Sequence, residues 1–282
     1  MAPHSPDPEG EGNVWASADA AEAWRRGADR RNAALAAATE RMLDLAELRP
    51  GMRVLDLAAG TGEQSLAAAR RVEPDGVVLA TDLSDSMLAL AASTAQQAGL
   101  PVDTRVMDAG ALEVEPASFD AAICRLGLMF VADLVAALAG VRRALKPGGR
   151  LAAVVWSAPE RNPMMSMPRK VARELGLAPP PDQTLERALA LGDPTNLDRA
   201  FNAAGFRDVV IEPMAARRPF ASAVEAIQYA RYESPAHREL SQHLSEANAD
   251  RLWQAVQLAY ARYETPTGCH IPGEVLLVAG TA

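Results

Sequence analysis

The chain has few cysteines and no long apolar run, and both absences narrow what it can be. Its 282 residues include two cysteines, Cys124 and Cys269, too far apart in sequence to form a metal-ligand spacing. No stretch of about 18 apolar residues occurs, so no stable insertion into a membrane is expected. The N-terminus, MAPHSPDPEGEGN, has no apolar segment of a secretory signal. We therefore expect a disordered leader over 1–13 and a reduced, cytoplasmic protein.

Lysine is also rare, and acidic residues outnumber basic ones. Lys146 and Lys170 are the only lysines, and the formal net charge is −8. A nucleic-acid partner needs a basic surface for its phosphates, so this balance argues against one. No histidine, aspartate and glutamate cluster has the spacing of a metal site, so a metal-independent protein is expected.

Apolar runs alternate with helical patterns along most of the chain. Such alternation is typical of an α/β fold with right-handed crossovers and a mainly parallel, Rossmann-like sheet. The expected strands are 53–57, 77–82, 102–108, 119–124, 150–156, 207–213 and 270–280. The expected organisation is a single domain over 14–282, made of a helical cap (14–48), a cofactor-binding half (50–156), a lid insertion (157–200) and a C-terminal half with a helical lid segment (201–282).

Three acidic residues stand at or near the ends of successive predicted strands. They are Asp56, Asp82 and Asp108. In a parallel sheet the carboxyl ends of the strands meet at one edge, where ligands bind. An acid that ends the second strand can accept hydrogen bonds from two ribose hydroxyls, and one that ends the third can accept from an adenine amino group. The sequence therefore predicts a nucleoside site, with Asp82 on the ribose and Asp108 on the adenine. The alternatives are a helix-capping role for Asp82 and a turn-forming role for Asp108.

The loop after the first strand discriminates between two nucleoside cofactors. A dinucleotide fingerprint needs G-x-G-x-x-G, but here Gly60 and Gly62 are followed by Ser65 at the third position. Glu63 also lies where a pyrophosphate would dock on the helix N-terminus. S-adenosylmethionine has no phosphate and carries a sulfonium and an ammonium, which nearby acids favour. The loop therefore predicts S-adenosylmethionine over NAD(P).

With these motifs, the chain resembles the class I S-adenosylmethionine-dependent methyltransferases of the small-molecule type related to ubiquinone/menaquinone biosynthesis. The stretch DLAAGTG resembles the family's D-x-G-x-G-x-G, ATDLSDSML the ribose motif, VMDAGAL the adenine motif and KPGGRLAAVVW the fifth-strand motif. The resemblance implies a seven-stranded sheet in the order 3-2-1-4-5-7-6, its last strand antiparallel, with a helical lid. Gly273 is then expected in the returning strand. Ala58 stands where the family motif has a glycine, and this replacement leads us to expect a negative φ at Ala58.

The motifs and the resemblance together define an expected cofactor site. Its residues are Asp56, Ala58, Gly60, Gly62, Gln64, Asp82, Leu83, Met87, Asp108, Ala109 and Arg125. Within it, Asp56 is expected to organise the loop, and Leu83 and Met87 to pack on the nucleoside or in the core.

Catalytic residues are not evident, and the chemistry does not demand them. A sulfonium is an excellent leaving group, so alignment and water exclusion are the main requirements. Arg125 is a candidate for orienting an acceptor, with pairing to an acid as the alternative. His237 and His243 are candidates for deprotonating the acceptor, with surface positions as the alternative. His4 is excluded as a candidate base because it lies in the expected leader. His270 is expected to begin the last strand.

The predicted function is methyl transfer from S-adenosylmethionine to an O, N or C nucleophile of a small, fairly hydrophobic, natural-product or quinone-like acceptor. Two alternatives remain: an NAD(P)-dependent oxidoreductase on a similar sheet, and a non-catalytic S-adenosylmethionine-binding module. A homodimer is left open. The N-terminal arginines, Arg25, Arg26, Arg30 and Arg31, are interpreted as a solvated face, with a lid helix that binds an anionic substrate as the alternative.

Overall fold

The computed structural model describes most of the chain. The described residues are 22, 24, 25, 27–177, 183–233, 237, 240 and 244–282. The expected leader over 1–13, together with His4, Arg26 and His243, lies outside them. Among the described residues, no helix combines the length and apolar character that a membrane span requires.

A seven-stranded sheet forms the centre of the fold. Its order is β3-β2-β1-β4-β5-β10-β6, and β10 runs antiparallel to both of its neighbours. The strands are β1 (Arg53–Leu57), β2 (Val77–Asp82), β3 (Val102–Val106), β4 (Phe119–Arg125), β5 (Leu145–Trp156), β6 (Arg207–Ala215) and β10 (Glu274–Thr281). The expected order and the antiparallel last strand are confirmed. Parallel strands covered on both faces need continuous apolar runs, which the buried stretch 121–124 of β4 illustrates.

The helices begin at side chains that satisfy free backbone N–H groups. Ser84, Asp133 and Asp193 each accept a hydrogen bond from an N–H in the first turn of the helix that follows. Gly99 ends one helix in the left-handed conformation. The helices are α1 (Ala28–Leu45), α2 (Glu63–Val72), α3 (Asp85–Ala98), α4 (Leu134–Ala144), α5 (Pro163–Glu174), α6 (Gln183–Leu189), α7 (Pro194–Ala203), α8 (Ala223–Gln228) and α9 (Glu246–Ala261).

A second group of elements lies beyond the main sheet and has its own apolar core. A three-stranded antiparallel sheet, in the order β7-β9-β8, joins it. These strands are β7 (Arg218–Phe220), β8 (Glu264–Thr265) and β9 (Gly268–Ile271). The core of this group contains Met164, Met167, Phe220, Trp253 and Tyr260, contributed by α5, β7 and α9. We call this group the lid cluster. The sequence did not lead us to expect this second sheet of β7, β8 and β9.

The end of the chain differs from the expectation in one respect. The expected strand over 270–280 is two strands in separate sheets, because Pro272 and Gly273 interrupt the pairing. Gly273 therefore precedes β10 and does not lie within it, and His270 lies in β9. The carbonyl of Gly273 accepts a hydrogen bond from Ala216 N at 2.8 Å, which links this turn to the end of β6.

Candidate functional site

The loop between β1 and α2 turns sharply at the carboxyl edge of the sheet. Gly60 and Gly62 have φ values of +58° and +83°, in the region that glycine adopts most readily. Ala58 has a φ of +50°, so the negative φ expected for it is wrong. The turn from β1 into α2 places the backbone of Ala58 in the left-handed region although the residue is not glycine. Its neighbour Gly127 leaves the space for the Ala58 methyl, since a Cβ on Gly127 would lie 2.5 Å from the Ala58 Cβ.

Asp56 lies beneath this loop and holds it together. The Asp56 carboxylate is fully buried and accepts from Ser65 Oγ at 2.5 Å and from Gln64 Nε2 at 3.3 Å. Gln64 Nε2 also donates to the carbonyl of Ala59 at 3.0 Å. Burial raises the pKa of Asp56 to about 7, against the lowering effect of these hydrogen bonds. Ser65 therefore has a role in this loop that the third glycine of a dinucleotide motif could not fill.

Asp82 connects the loop to the next helix. Its Oδ2 accepts from Gly60 N at 2.8 Å, and its Oδ1 accepts from Ser84 N at 2.9 Å. A carboxylate oxygen has two lone pairs, so each oxygen keeps one for a further donor. Burial raises the pKa of Asp82, and the hydrogen bonds from Ser84 and Gly60 oppose that rise. Beside it, Met87 is buried, whereas Leu83 is 46% exposed at the sheet edge.

Asp108 and Ala109 follow β3 and lie at the same edge. Met107 N donates to the carbonyl of Asp82 at 2.9 Å, which brings the end of β3 beside the end of β2. Asp108 Oδ1 accepts from Gly110 N at 2.8 Å, the contact of a turn-forming aspartate. Asp108 and Ala109 are both half-buried. The turn contact leaves Oδ2 of Asp108 for another donor.

Arg125 ends β4 and reaches into a buried polar cluster. It is 8% exposed and donates to Thr39 Oγ1 and Asn32 Oδ1, both at 3.1 Å. Its Nη2 also lies 3.3 Å from Glu63 Oε2. Burial lowers the pKa of Arg125, and the charge of Glu63 opposes that effect. Arg125 therefore joins the glycine loop to α1.

Arg31 and Trp24 complete this side of the site. The Arg31 guanidinium is centred 3.6 Å above the Trp24 ring, and its Nη2 lies 3.6 Å from Glu63 Oε1. Arg31 is 6% exposed, so the solvated-face interpretation is wrong for this residue, although Arg25 is exposed. Trp24 covers the loop: a Cβ on Gly60 would lie 3.4 Å from Trp24 Nε1 and 3.8 Å from Met87 Sδ.

The histidine candidates do not join this group. His237 is buried in the lid cluster, where its Nε2 lies 3.3 Å from the carbonyl of Met165 and its ring is edge-on to Trp253. His270 is exposed, with its Nε2 3.2 Å from Thr267 Oγ1. His243 lies outside the described residues. These positions argue against His237 and His270 as bases at the glycine loop.

Sequence reasoning missed the roles of Trp24, Arg31 and Glu63. Glu63 was considered only as an obstacle to a pyrophosphate, yet it pairs with two arginines and accepts from Thr61 Oγ1 at 2.7 Å. Its position in the first turn of α2 was the available signal, because an acid there stabilises the helix. Nothing local in the sequence pairs it with α1.

Comparisons with known proteins find similarity to methyltransferases over the part of the chain that contains this site. Residues 54–149 match the family model described as a methyltransferase domain. The ubiquinone/menaquinone biosynthesis C-methyltransferase UbiE of Bordetella avium is 41% identical over 112 residues, which are 40% of this chain and 44% of that protein. The chain thus spans less than half the length of the curated relatives it matches. The resemblance to class I methyltransferases related to UbiE is confirmed over this region.

Solved structures extend the likeness of the fold over most of the chain. Phosphoethanolamine N-methyltransferase 2 of Haemonchus contortus superposes with a TM-score of 0.59 at 20% identity, over 95% of this chain and 58% of that one. The YcgJ protein of Bacillus subtilis superposes with a TM-score of 0.56 at 20% identity, over 86% of this chain and 97% of that one. At this identity the superpositions establish the fold.

Proposed function

We propose that the protein is an S-adenosylmethionine-dependent methyltransferase acting on a small, fairly hydrophobic acceptor. The observation that supports this most is the bridge from Asp82 to the glycine loop, with Asp108 at the neighbouring strand end. This arrangement offers carboxylate acceptors on the nucleoside side and a glycine loop that allows a close backbone approach. The homology to UbiE supports a quinone-like acceptor.

The donor set fits this cofactor at each of its parts. Asp82 keeps a lone pair on each oxygen for ribose hydroxyls, and Asp108 keeps one oxygen for an adenine amino group. Trp24 and Met87 lie against Gly60, and their side chains suit packing on a nucleoside. When bound, S-adenosylmethionine supplies an electrophilic methyl group on a positively charged sulfur.

The protein's own contribution is alignment and exclusion of water. Trp24 covers the loop, Arg125 connects the end of β4 to α1, and the lid cluster adjoins Trp156 at the end of β5. A methyl group transferred between aligned partners needs little acid–base assistance, whereas a closed site prevents hydrolysis and holds the attack geometry. The His237 contacts with the lid cluster agree with such a mechanism, in which no histidine base is required.

An NAD(P)-dependent oxidoreductase is disfavoured by two contacts. Ser65 donates to buried Asp56 where a dinucleotide motif has its third glycine, and the Glu63 carboxylate, paired with Arg31 and Arg125, occupies the N-terminus of α2 where a pyrophosphate would dock. Purified protein should bind S-adenosylhomocysteine and not NAD in a calorimetric titration. Methyl transfer to at least one member of a panel of phenols, quinols and carboxylic acids is expected. Cofactor binding without any turnover would favour a non-catalytic binding module instead.

A further inference from the structure

Two arginines approach one carboxylate beside the glycine loop, and a third arginine lies near them. Arg31 and Arg125 both approach Glu63, within 3.6 and 3.3 Å. Arg218, from β7, is close enough that its charge lowers the pKa of Arg31. We call Arg31, Arg125 and Arg218 the arginine cluster. Glu63 and the buried Asp56, whose charge also acts on Arg125, are two carboxylates against three guanidinium groups, so the cluster keeps an excess of positive charge in a protein whose net charge is −8.

Arg31 has hydrogen-bonding capacity to spare. Its Nη1 donates to the carbonyl of Trp24 at 3.0 Å. Its Nε and Nη2 are buried and make no hydrogen bond with any residue that the structure describes. A buried charged group with unused donors is costly, since it has left water without full compensation. Burial accordingly lowers the pKa of Arg31 to about 10. Such uncompensated groups occur where a ligand supplies the missing partner.

The charges are distributed unevenly along the sheet edge. Asp82 and Asp108 stand at the ends of β2 and β3, on one side of the glycine loop. Arg125 ends β4 on the other side, and Arg218 lies over the ring of Trp156, which ends β5, at 5.2 Å. The acids therefore lie on the side proposed for the nucleoside. The arginines lie on the side left for the acceptor, next to the lid cluster.

We propose that the arginine cluster is an anion subsite for the acceptor, which carries a carboxylate or an ionised phenol or enol beside the atom that is methylated. This inference rests on the proposed function. The planar guanidinium of Arg31, whose Nε and Nη2 make no hydrogen bond with the described residues, matches two oxygens of a carboxylate in a bidentate pair. Complementary charge would also select the ionised acceptor, which is the better nucleophile.

An apolar surface lies beside Arg218 of the cluster. Arg218 lines a small cleft together with Trp156, Met164, Met165 and Ile271. Methionine side chains adapt to different ligand shapes, and Trp156 offers a flat apolar surface. The cleft has a volume of about 10 Å³, room for a single water, so an apolar body would contact the rim of the cleft and not enter it.

The test compares two probes that differ in charge. Benzoate and benzamide are titrated against protein saturated with S-adenosylhomocysteine, with binding followed by ligand-observed NMR. Benzoate should bind about tenfold more tightly than benzamide, the effect of a charge-assisted hydrogen bond. Arg31→Gln and Arg218→Gln should each reduce this preference to about threefold or less, while Arg25→Gln, on an exposed arginine, keeps it.

Separate outcomes would overturn the inference and the proposed function. Wild-type protein that binds S-adenosylhomocysteine but shows no preference for benzoate refutes the anion subsite alone, whereas no binding of S-adenosylhomocysteine refutes the proposed function. If Arg31→Gln weakens S-adenosylhomocysteine about tenfold and leaves 5′-methylthioadenosine unchanged, the cluster holds the amino-acid end of the cofactor and the inference is wrong. Thermal melting checks folding. If Arg31→Gln fails to fold, the inference is tested by the benzoate-over-benzamide preference of the wild type and of Arg218→Gln, because Arg218 is only half-buried.

Discussion

Replacing Gly62 by alanine should destabilise the protein by two separable effects. Gly62 has a φ of +83° immediately before α2, and an added Cβ would lie 2.6 Å from the Cβ of Ala91 on α3. The left-handed backbone costs a non-glycine residue about 1–2 kcal/mol. Overpacking against a neighbouring helix costs about 1–3 kcal/mol more. We therefore expect Gly62→Ala to lower the free energy of unfolding by about 2–5 kcal/mol.

Gly148 provides a matched control for the backbone effect. It has a φ of +80°, yet a Cβ there would meet nothing within 4 Å. Gly148→Ala should therefore cost only about 1–2 kcal/mol. Removing the Ala91 methyl supplies the second control, because Ala91→Gly combined with Gly62→Ala relieves the contact and should cost less than the two single changes added together.

The assay is urea denaturation followed by circular dichroism, with all variants at one pH. Equal losses for Gly62→Ala and Gly148→Ala would refute the close approach of the loop to α3. Strict additivity in the double variant with Ala91→Gly would refute it as well. Either result would mean that the glycine at 62 is needed only for its backbone angle.

Three further predictions concern buried side chains. Asp56 has a folded pKa of about 7 against its ordinary 3.8, so its ionisation favours the unfolded state. Stability should fall between about pH 4 and pH 7 by about 4 kcal/mol on this account, and Asp56→Asn should flatten that part of the profile in denaturation experiments. Trp24 covers Gly60, so S-adenosylhomocysteine should change tryptophan emission in wild type and in Trp253→Phe but not in Trp24→Phe. Burial raises the pKa of Cys124 to about 12, so its modification by a thiol reagent should require unfolding, and rapid labelling of the native protein would contradict this.

The sheet and the cofactor side of the site could be predicted from the sequence because short, local sequence patterns mark them. Each strand is an apolar run, and Asp56 and Asp82 end two of them within a few residues. The crossover rules then bring such ends to one edge without any knowledge of distant contacts. The Asp82 contact with Gly60 spans 22 residues, yet it follows directly from the adjacent positions of β1 and β2.

The arginine side of the site was not accessible, because its partners are remote in sequence. Arg125 meets Asn32 across 93 residues, and no local pattern pairs them. A run of arginines on a helix predicts an exposed face, and only the packing of α1 onto the sheet reveals that Arg31 is buried. The φ of Ala58 was missed for a related reason: the loop geometry is fixed by the space beside Gly127, which lies beyond β4.

The central claim is that the glycine loop and the acids at the strand ends bind S-adenosylmethionine. A calorimetric titration with S-adenosylhomocysteine tests it most directly, using wild type, Asp82→Ala and Asp193→Ala. Asp193 is a remote N-cap that likewise accepts from a backbone N–H, at 2.8 Å, so it controls for the loss of such a contact. We predict saturable binding by wild type and Asp193→Ala, and affinity reduced about tenfold to a hundredfold in Asp82→Ala. A folded wild-type protein that does not bind S-adenosylhomocysteine, or an Asp82→Ala variant with unchanged affinity, would contradict the claim.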